Sequence, residues 1–515
     1  MATLRRCSLF AVMLVILGWL APVAQTTTAA ANGDDASTLP RPAGLQPAIQ
    51  FWTLIYTEIP VDRGVIHDSG ADMRIYGEVS VAPPGQWSER RRQVGQALDE
   101  HRAALKALAD NSLDPRTPLQ AQLHGRLPEN ATREEIIDLA ERLRFQGGLR
   151  ENFRDGLARS GQWRGYIAGA LAEAEVPAEL IALPHVESSF NPVARSHAGA
   201  AGLWQFTAGT GREFMRVDPV VDERLDPWLS TRAAVALLER NYEALGAWPL
   251  AITAYNHGAN GMRRAINEVG STDYMQVREA YRGPRFGFAS RNFYPALLAA
   301  ADVDSRHAQY FPGLVMDEPG ALVRVELPHY TPLETLIDGL GFDAGQLLAF
   351  NPALGPAVGD GRKFVPRGYP LALPRSDIDW AQRVRALPGS RLFTQQRPDL
   401  HHAVRPGETL SGIAARYGVG LQALMASNGI SDANRIRVGA SLSLPAAGAM
   451  PEPVSGGYHQ VRAGETLGGI ARRHGISAGR LQRLNGLADP DRIRVGQRLR
   501  LTADPAGSIE IGAET

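Results

Sequence analysis

Apolar residues recur with a helical period through the middle of the chain. In the stretch GQWRGYIAGALAEAEVPAELIALPHVESSF (161–190), Leu180, Leu183 and Glu187 follow one another at three- and four-residue steps, so they share one helix face. Pro177 suits a first helical turn, and the pattern predicts two helices, the second running from Pro177 to Glu187. We expect Pro184 to distort that second helix.

Helical patterns continue after this stretch. A long pattern covers residues 222–266, and an aromatic-rich turn near residue 286 leads into a closing helix that extends to residue 300. These segments together predict a mainly α-helical domain over residues 146–310.

The preceding region, residues 45–145, has a mixed pattern. Residues 88–110 and 132–146 predict amphipathic helices, and the second begins with a capping box from Thr132 to Glu135. Residues 51–81 are apolar and predict strands. We expect this region to serve as a scaffold, packed on the helical domain.

Two segments near the C-terminus, 402–444 and 459–501, align without gaps at an offset of 57 residues. Both contain GETL, a later asparagine (Asn428 and Asn485), and an identical RIRVG before a short final strand. Each pattern predicts strand, helix, helix, strand, which gives modules at 401–445 and 458–502. Composition predicts linkers at 375–400 and 446–457, and residues 503–515 form a tail.

A third, degenerate copy lies upstream, over residues 321–374. It keeps the order of a strand, a helix that opens at PLETLID, a second helix followed by Asn351-Pro352, and a closing strand. It lacks the glycine of GETL and the RIRVG element. We therefore interpret this segment as a worn copy of the same module.

The two complete repeats resemble LysM modules, on the GETL, asparagine and RIRVG signatures. The resemblance implies small βααβ folds that bind glycans containing N-acetylglucosamine. It places the contact loops at Gly407, Thr409, Leu410, Ile436 and Arg437 in the first module and at Gly464, Thr466, Leu467, Ile493 and Arg494 in the second. The alternative for Leu410 and Ile436 is a core position, because so small a fold uses most of its apolar residues for its own stability.

Length, composition and net charge mainly exclude some kinds of architecture and partner. The 515 residues are too many for one core and suggest three or four domains. Hydrophobic residues make up 44% and charged residues 21%, which is an ordinary globular balance. Because the formal net charge is zero, no overall field favours nucleic acid or an anionic membrane as a partner.

The N-terminus predicts export. Residues 1–31 combine a basic start (Arg5 and Arg6), an apolar stretch and small residues, the order of a secretory signal peptide. An uncleaved anchor, tethering the protein to a membrane, is the alternative. Cys7 is the sole cysteine and precedes the apolar stretch, which argues against lipidation and against disulfides in the mature chain. We expect the periplasm or cell envelope of a bacterium.

Glu187 is the one carboxylate within LPHVESSFNPVARSHAGAAGLWQF (183–206). A carboxyl kept out of water favours its protonated form, and a protonated carboxyl near neutral pH can act as a general acid. Gly199 and Gly202 would let a flat sugar chain approach the backbone. The histidines nearby, His185, His197 and His257, lack a metal-ligand spacing, so we expect neither a metal nor a cofactor.

Three motifs occur in order: Glu187-Ser188, Gly202-Leu203-Trp204-Gln205 and Ala254-Tyr255-Asn256. Together they resemble the lytic transglycosylases of the soluble-transglycosylase, goose-lysozyme-like group, and within it the branch called membrane-bound lytic murein transglycosylase D. The resemblance implies a lysozyme-like domain that cleaves peptidoglycan, in a multidomain α+β chain ending in LysM modules. It assigns Glu187 as the catalytic acid/base and places the substrate at Ser188, Trp204, Gln205, Tyr255 and Asn256.

The chemistry expected of Glu187 follows from the spacing of acids. Two carboxylates usually flank a scissile glycosidic bond, but after Glu187 the next acid is Glu213. Asp222, Glu223 and Asp226 are expected to form a structural charge network. A single-acid reaction, which closes a 1,6-anhydro ring on N-acetylmuramic acid without water, fits this pattern. The alternatives are a lysozyme-like hydrolase and a non-catalytic scaffold that binds peptidoglycan.

Overall fold

The computed structural model describes residues 39–70, 72–399, 401–444, 458–474 and 476–501. The predicted signal peptide (1–31), the linker at 446–457 and the tail at 503–515 lie outside these ranges. Within them, none of the helices combines the length and apolar character that crossing a membrane requires. The predicted fold class is confirmed: the chain is mainly helical, with small antiparallel sheets.

The first long element is helix α1 (Gln46–Thr57), which follows a short 3-10 helix (Ala43–Leu45). The prediction of strand over this part of residues 51–81 is therefore wrong. The stretch is apolar on nearly every side, and such runs do not distinguish a buried helix from a strand. Phe51 and Ile55, one helical turn apart, are both buried in the main core of the protein.

A three-stranded antiparallel sheet with its own small core follows α1. Its strands stand in the order β2-β1-β3. Both predicted amphipathic helices form, and the predicted capping box of Thr132 and Glu135 is present. The second helix ends at Arg142, so the prediction of helix over residues 143–146 is wrong, because they pair with β1 as a strand. The elements are β1 (Arg63–Asp68), β2 (Ile75–Ser80), α2 (Trp87–Asp110), α3 (Pro118–His124), α4 (Arg133–Arg142) and β3 (Leu143–Gly147).

The predicted helical domain forms around a core that contains Trp204 and Tyr294, both fully buried. Short 3-10 helices lie at Ala178–Ala182 and Glu223–Leu225. The helices are α5 (Arg150–Ser160), α6 (Arg164–Glu173), α7 (Leu183–Ser188), α8 (Ala208–Gly211), α9 (Pro227–Leu245), α10 (Trp248–His257), α11 (Ala259–Val269), α12 (Tyr274–Ala280), α13 (Phe288–Ser305) and α14 (His307–Tyr310).

The segment before Glu187 differs from the single helix predicted there. The 3-10 helix Ala178–Ala182 ends where α7 begins, and Pro184 lies in the first turn of α7. A proline in a first turn removes no helical hydrogen bond, because that N–H has no partner within the helix. The expected distortion is thus absorbed by starting a new helix.

The degenerate copy has the βααβ order expected of it. Strands β4 (Leu322–Glu326) and β5 (Pro370–Pro374) pair antiparallel around α15 (Leu333–Leu340), α16 (Ala344–Phe350) and α17 (Pro356–Gly359). The side chain of Asn351 holds the closing strand: Nδ2 donates to the Ala372 carbonyl at 2.9 Å, and the Ala372 N–H donates to Oδ1 at 2.8 Å.

Residues 375–399 were expected to be a linker, and this expectation is wrong. They contain α18 (Trp380–Arg385) and a 3-10 helix (Gly389–Arg391). Trp380, Val384 and Leu392 are buried in the same core as β4 and β5. Composition suggested a linker, but these apolar side chains cover the sheet, as does Val221 from the helical domain.

Both LysM-like repeats fold as predicted. The first consists of β6 (His401–Ala403), α19 (Leu410–Tyr417), α20 (Leu421–Ser427) and β7 (Ser441–Ser443). The second consists of β8 (Tyr458–Gln460), α21 (Leu467–Arg473), α22 (Ala478–Leu484) and β9 (Arg498–Arg500). Asn428 and Asn485 each accept from the N–H of the closing strand and donate back to its carbonyl, as Asn351 does upstream.

Candidate active site

Glu187 lies in the last turn of α7, where the chain turns away sharply. The first two residues after α7, Ser189 and Phe190, both have left-handed backbone conformations, with φ of 51° and 54°. Non-glycine residues rarely adopt this conformation unless their surroundings hold it. Arg159 supplies such a restraint, because its Nη2 donates to the Ser189 carbonyl at 2.7 Å. The end of α7, and with it the backbone of Glu187, is held in place.

The carboxyl of Glu187 is suited to carry a proton at neutral pH. Its side chain keeps a partial opening to solvent, but burial raises the pKa of Glu187 to about 8. No neighbouring charge contributes to this rise, and the carboxyl makes no hydrogen bond or ion pair with the other described residues. Glu187 is therefore a proton donor free to turn toward a ligand.

The three sequence motifs meet through two hydroxyl groups. Ser188 Oγ donates to the Leu203 carbonyl at 2.7 Å, and the Tyr255 hydroxyl donates to the Trp204 carbonyl at 2.8 Å. Burial and the nearby charge of Glu187 hold the pKa of Tyr255 well above its usual value, so this hydroxyl remains a donor. The structure thus brings Ser188 and Tyr255 together with Glu187, as predicted, and both fix the 203–204 backbone.

Trp204 does not lie in the cleft. Its side chain is fully buried, and its indole N–H donates to Thr231 Oγ1 at 2.9 Å. The prediction that the Trp204 side chain binds substrate is therefore wrong. This indole instead anchors the loop to α9 from inside the core.

Gln205 turns the chain beside this anchor. It has a left-handed φ of 48°, and its Nε2 donates to the Gly202 carbonyl at 2.8 Å. Three of the eight described non-glycine residues with positive φ, Ser189, Phe190 and Gln205, therefore border the candidate site. Such conformations concentrate at functional sites, where the fold maintains them.

The expected role of Gly202 in sugar approach is wrong. Gly202 has a φ of 83°, and a Cβ there would lie 1.7 Å from the Arg224 carbonyl oxygen. The close approach is thus to Arg224 of the same chain. Arg224 Nη1 donates to the carbonyls of Gly199 (2.9 Å) and Phe206 (3.0 Å), and its Nε pairs with Asp222 at 2.8 Å.

The acids that follow Glu187 are engaged in structural contacts, as expected. Asp222 pairs with Arg224, and Glu223 accepts from the Arg216 N–H at 2.6 Å. Asp226 caps α9 through two backbone N–H groups and also pairs with Arg324 at 2.8 Å. These contacts account for the presence of the three carboxylates, so no catalytic role is needed to explain them.

Asn256 is exposed at the end of α10. Its Oδ1 accepts a hydrogen bond from Ser290 Oγ at 3.0 Å, and Ser290 also approaches His257 Nδ1 at 3.4 Å. Ser290 was not predicted as a site residue. The sequence placed Ser290 near the start of the closing helix. Nothing in the local sequence indicated that this helix lies beside Asn256.

A buried polar cluster behind α7 was also not predicted. The ring N–H of His185 at Nε2 donates to Asp304 Oδ1 at 3.2 Å, and Arg164 pairs with the same oxygen at 2.8 Å. Burial would raise the pKa of Asp304, but the hydrogen bonds from His185 and Arg164 outweigh it and lower that pKa to about 2. Burial lowers the pKa of His185, which stacks on Phe153 with ring centroids 4.4 Å apart.

The described residues contain no group of three or more His, Cys, Asp or Glu side chains that could hold a metal ion.

The residues predicted for the LysM loops divide into buried and exposed positions. Leu410 and Leu467 are buried in the module cores, so the prediction that their side chains contact glycan is wrong. Thr409 and Thr466 cap α19 and α21 through their hydroxyls. Gly407 and Gly464 form left-handed turns, Ile436 and Ile493 are half-buried, and Arg437 and Arg494 are exposed.

Two exposed apolar residues in these modules were missed. Val438 and Val495 stand at equivalent positions in the two RIRVG elements and are 63% and 69% exposed. In the first module a groove of about 650 Å³ adjoins this element, lined by Ile430, Ile436 and Arg437 among others. The sequence did carry a signal for these two valines, since both belong to the identical RIRVG pentapeptide of the two repeats.

Comparison with known proteins agrees with this geometry. The model of the Transglycosylase SLT domain matches residues 166–277, and that of the LysM domain matches residues 402–445 and 459–502. Membrane-bound lytic murein transglycosylase D of Escherichia coli (strain K12) is 30% identical over 352 residues, covering 65% of this chain and 75% of the relative.

Two further likenesses are more limited. An N-acetylmuramoyl-L-alanine amidase of Staphylococcus aureus (strain USA300) is 31% identical over 122 residues, covering 22% of this chain and 36% of the relative. The crystal structure of the 70 kDa soluble lytic transglycosylase from Escherichia coli matches with a TM-score of 0.23 and 18% identity, over 45% of this chain and 32% of that one.

The SLT and LysM matches and the extent of the Escherichia coli relative agree with the motifs that meet at Glu187. The chain belongs to the lytic murein transglycosylase family, in the branch of membrane-bound lytic murein transglycosylase D, and is a peptidoglycan lytic transglycosylase with two LysM domains.

Proposed function

We propose that this enzyme cleaves the bond between N-acetylmuramic acid and N-acetylglucosamine without water, with Glu187 as its single acid/base. The observation that carries the proposal is the pKa of Glu187, raised to about 8 by burial alone. A second carboxylate poised across the bond would add its own charge effect to that pKa. None does, which favours a reaction in which one group acts twice.

The first step uses the protonated form. Glu187 gives its proton to the glycosidic oxygen, the bond from the anomeric carbon to that oxygen breaks, and N-acetylglucosamine leaves with a free hydroxyl. Positive charge develops at the anomeric carbon of N-acetylmuramic acid. The acetamido oxygen of the same sugar stabilises that charge, which replaces the second carboxylate of ordinary glycosidases.

The second step regenerates the acid. Glu187, now a carboxylate, removes the proton from the C6 hydroxyl, and the C6 oxygen bonds to the anomeric carbon. The product is a 1,6-anhydro ring, and Glu187 is protonated again, so the cycle consumes no water. Burial assists both steps, because it makes the carboxylate form basic enough to take the proton back.

The surrounding residues have separate roles in this proposal. Ser188 and Tyr255 hold the 203–204 backbone beside Glu187, and Gln205 and Asn256 present amide groups to the sugars. The LysM modules bind glycan strands through the exposed parts of their loops, Gly407, Arg437, Gly464 and Arg494 with Val438 and Val495. Export to the cell envelope would bring the enzyme to its substrate.

The test is mass spectrometry of the soluble products released from purified sacculi. Wild-type protein should release muropeptides lighter by one water molecule than hydrolysis products, and Glu187→Gln should release none. Glu173→Gln, on the exposed surface of α6, is the matched control and should behave as wild type. Reducing-end products would instead establish a lysozyme-like hydrolase, and binding without release by the wild type would establish a scaffold.

A further inference from the structure

A pocket of about 490 Å³ lies where β3, α12 and the start of α13 meet, and Glu187 is not among the residues that line it. We name it the arginine pocket after four residues of its lining, Arg144, Arg278, Arg282 and Arg291. Arg142 lines it too, but Asp68 neutralises Arg142 through an ion pair at 3.1 Å. No role in the proposed cleavage accounts for this pocket.

The four arginines of the pocket carry uncompensated charge. None of them forms an ion pair with a carboxylate in the described ranges of the chain. The pocket lining holds one acid, Glu279, which is exposed and forms no ion pair there either. Arg278 is 6% exposed, and a guanidinium is seldom buried without a partner of opposite charge.

Backbone carbonyls fix these guanidinium groups without neutralising them. Arg278 Nε donates to the Arg291 carbonyl at 3.1 Å, and Arg291 Nη1 donates to the Arg278 carbonyl at 3.0 Å. Arg144 lies over the Phe288 ring, with 4.7 Å from its Cζ to the ring centroid. Burial and the charges of Arg282 and Arg278 lower the pKa of Arg291. The four guanidinium groups are thus held close together although their positive charges repel one another. A bound anion would reduce this repulsion.

The pocket also contains an acceptor without a donor. Asn292 is 3% exposed, its Nδ2 donates to the Phe288 carbonyl at 3.0 Å, and its Oδ1 has no hydrogen-bond partner. A buried polar atom without a partner is destabilising. A ligand that offers both an oxyanion and an N–H group would satisfy the arginines and Asn292 together. A peptide carboxylate with its neighbouring amide N–H has this combination, and hydrogen phosphate with its P–OH group has the equivalent one, so experiment has to separate the two.

We propose that the arginine pocket binds a carboxylate of a peptide, and, if the proposed function holds, that this peptide is the stem attached to the murein glycan. Guanidinium groups bind carboxylates well because their paired N–H groups match the two oxygens, as they also match two oxygens of a phosphate. Residues of the pocket also adjoin, along the sequence, a residue that contacts the candidate site. Ser290, which bonds to Asn256, is followed directly by Arg291 and Asn292.

The first test is calorimetric binding of the free murein tripeptide L-alanyl-γ-D-glutamyl-meso-diaminopimelate to the whole protein. The variant combines Arg144→Gln and Arg282→Gln, because both side chains are exposed, and its circular dichroism melting curve should match that of the wild type. We expect the affinity to fall about tenfold or more, since charge-assisted hydrogen bonds are removed. Arg263→Gln, an exposed arginine of α11, is the matched control and should bind as wild type.

Two comparison ligands identify the source of the anion. The same tripeptide with its carboxylates amidated should not bind, and inorganic phosphate should bind more weakly than the tripeptide. Tighter binding of phosphate would overturn the peptide assignment. Equal binding of the tripeptide by wild type and the double variant, or no binding by wild type, would overturn the proposal as a whole.

A second test measures selectivity on substrates. Wild type should cleave peptide-bearing strands faster than strands whose stems an amidase has removed, and the double variant should lose this preference. An equal preference in both proteins would contradict the proposal. Failure of the proposed function is distinguishable: wild type would then release no anhydro product from either substrate, while calorimetry would still detect the tripeptide.

Discussion

The hydroxyl of Tyr255 donates a hydrogen bond to the backbone carbonyl of Trp204, at 2.8 Å, across 51 residues of sequence. This contact ties α10 to the loop that follows Glu187. Trp204 reaches the core on its other side through Thr231, so the loop is fixed from both directions. The tyrosine thus positions the backbone of residues 203–204 beside Glu187.

Replacing Tyr255 by Phe should therefore cost both stability and activity. The Trp204 carbonyl loses its donor in a buried setting, which costs about 1–3 kcal/mol in the free energy of unfolding. Urea denaturation measures this loss, and release of muropeptides from sacculi measures the accompanying fall in activity. Tyr242→Phe is the control, because Tyr242 is exposed and its hydroxyl has no described hydrogen bond; an equal loss there would contradict the assignment.

The pH dependence of cleavage should report the pKa of Glu187. The acid must be protonated for the first step, and its pKa in the free enzyme is about 8. The rate constant kcat/KM should therefore hold steady below that value and fall as the pH rises through it. An initial-rate profile on soluble glycan strands gives the midpoint. A midpoint near 4.5, the ordinary value for a glutamic acid, would show that burial does not tune this group.

Stability should depend on Asp304 in a defined pH range. Its pKa is lowered from 3.8 to about 2 in the folded protein, so its stabilising contribution is present above the unfolded pKa and disappears as the pH falls through the folded one. Asp304→Asn removes the charged acceptor of buried His185 and the partner of Arg164, whose side chain is 34% exposed, and should lower the free energy of unfolding at neutral pH by about 1–3 kcal/mol.

Thermal unfolding at pH 7 and near pH 2 tests the Asp304 prediction. The difference in Tm between wild type and Asp304→Asn should be large at pH 7 and shrink near pH 2. Asp110→Asn, which breaks the exposed pair with Arg133, is the comparison and should change stability by about 1 kcal/mol or less. A difference that does not vary with pH would argue that packing, not charge, underlies the effect.

In the first LysM module, one substitution should reduce glycan binding by unfolding the module, and another by removing a contact with the glycan. Leu410→Ala removes a buried side chain and should destabilise the first module by about 2–5 kcal/mol, so binding falls because the module unfolds. Arg437→Gln should weaken co-sedimentation with sacculi while leaving the fold unchanged. Circular dichroism melting separates the two cases; normal binding by Arg437→Gln would remove that arginine from the glycan site.

Part of this architecture could be predicted because its signals are local. Asn428, Asn485 and Asn351 stand at matching places in three copies of one pattern, and all three hold a closing strand. Glu187, Ser188 and Tyr255 could be proposed together from the sequence because their motifs are short and ordered, and the structure places them close to one another. Local spacing failed for α1, since a stretch apolar on every side fits helix and strand alike.

The sequence by itself determined the order of the modules and the helical character of the catalytic domain, and it singled out Glu187 as the candidate acid, because each depends on residue type and spacing over a few turns. Only the tertiary structure decided that Trp204 and Leu410 are core residues, that His185 meets Asp304 across 119 residues, and that four arginines from β3, α12, α13 and the turn between these helices share one pocket. Those facts depend on contacts between distant segments. Such contacts form only when the whole chain closes its loops around a common core, and nothing in the local pattern records them.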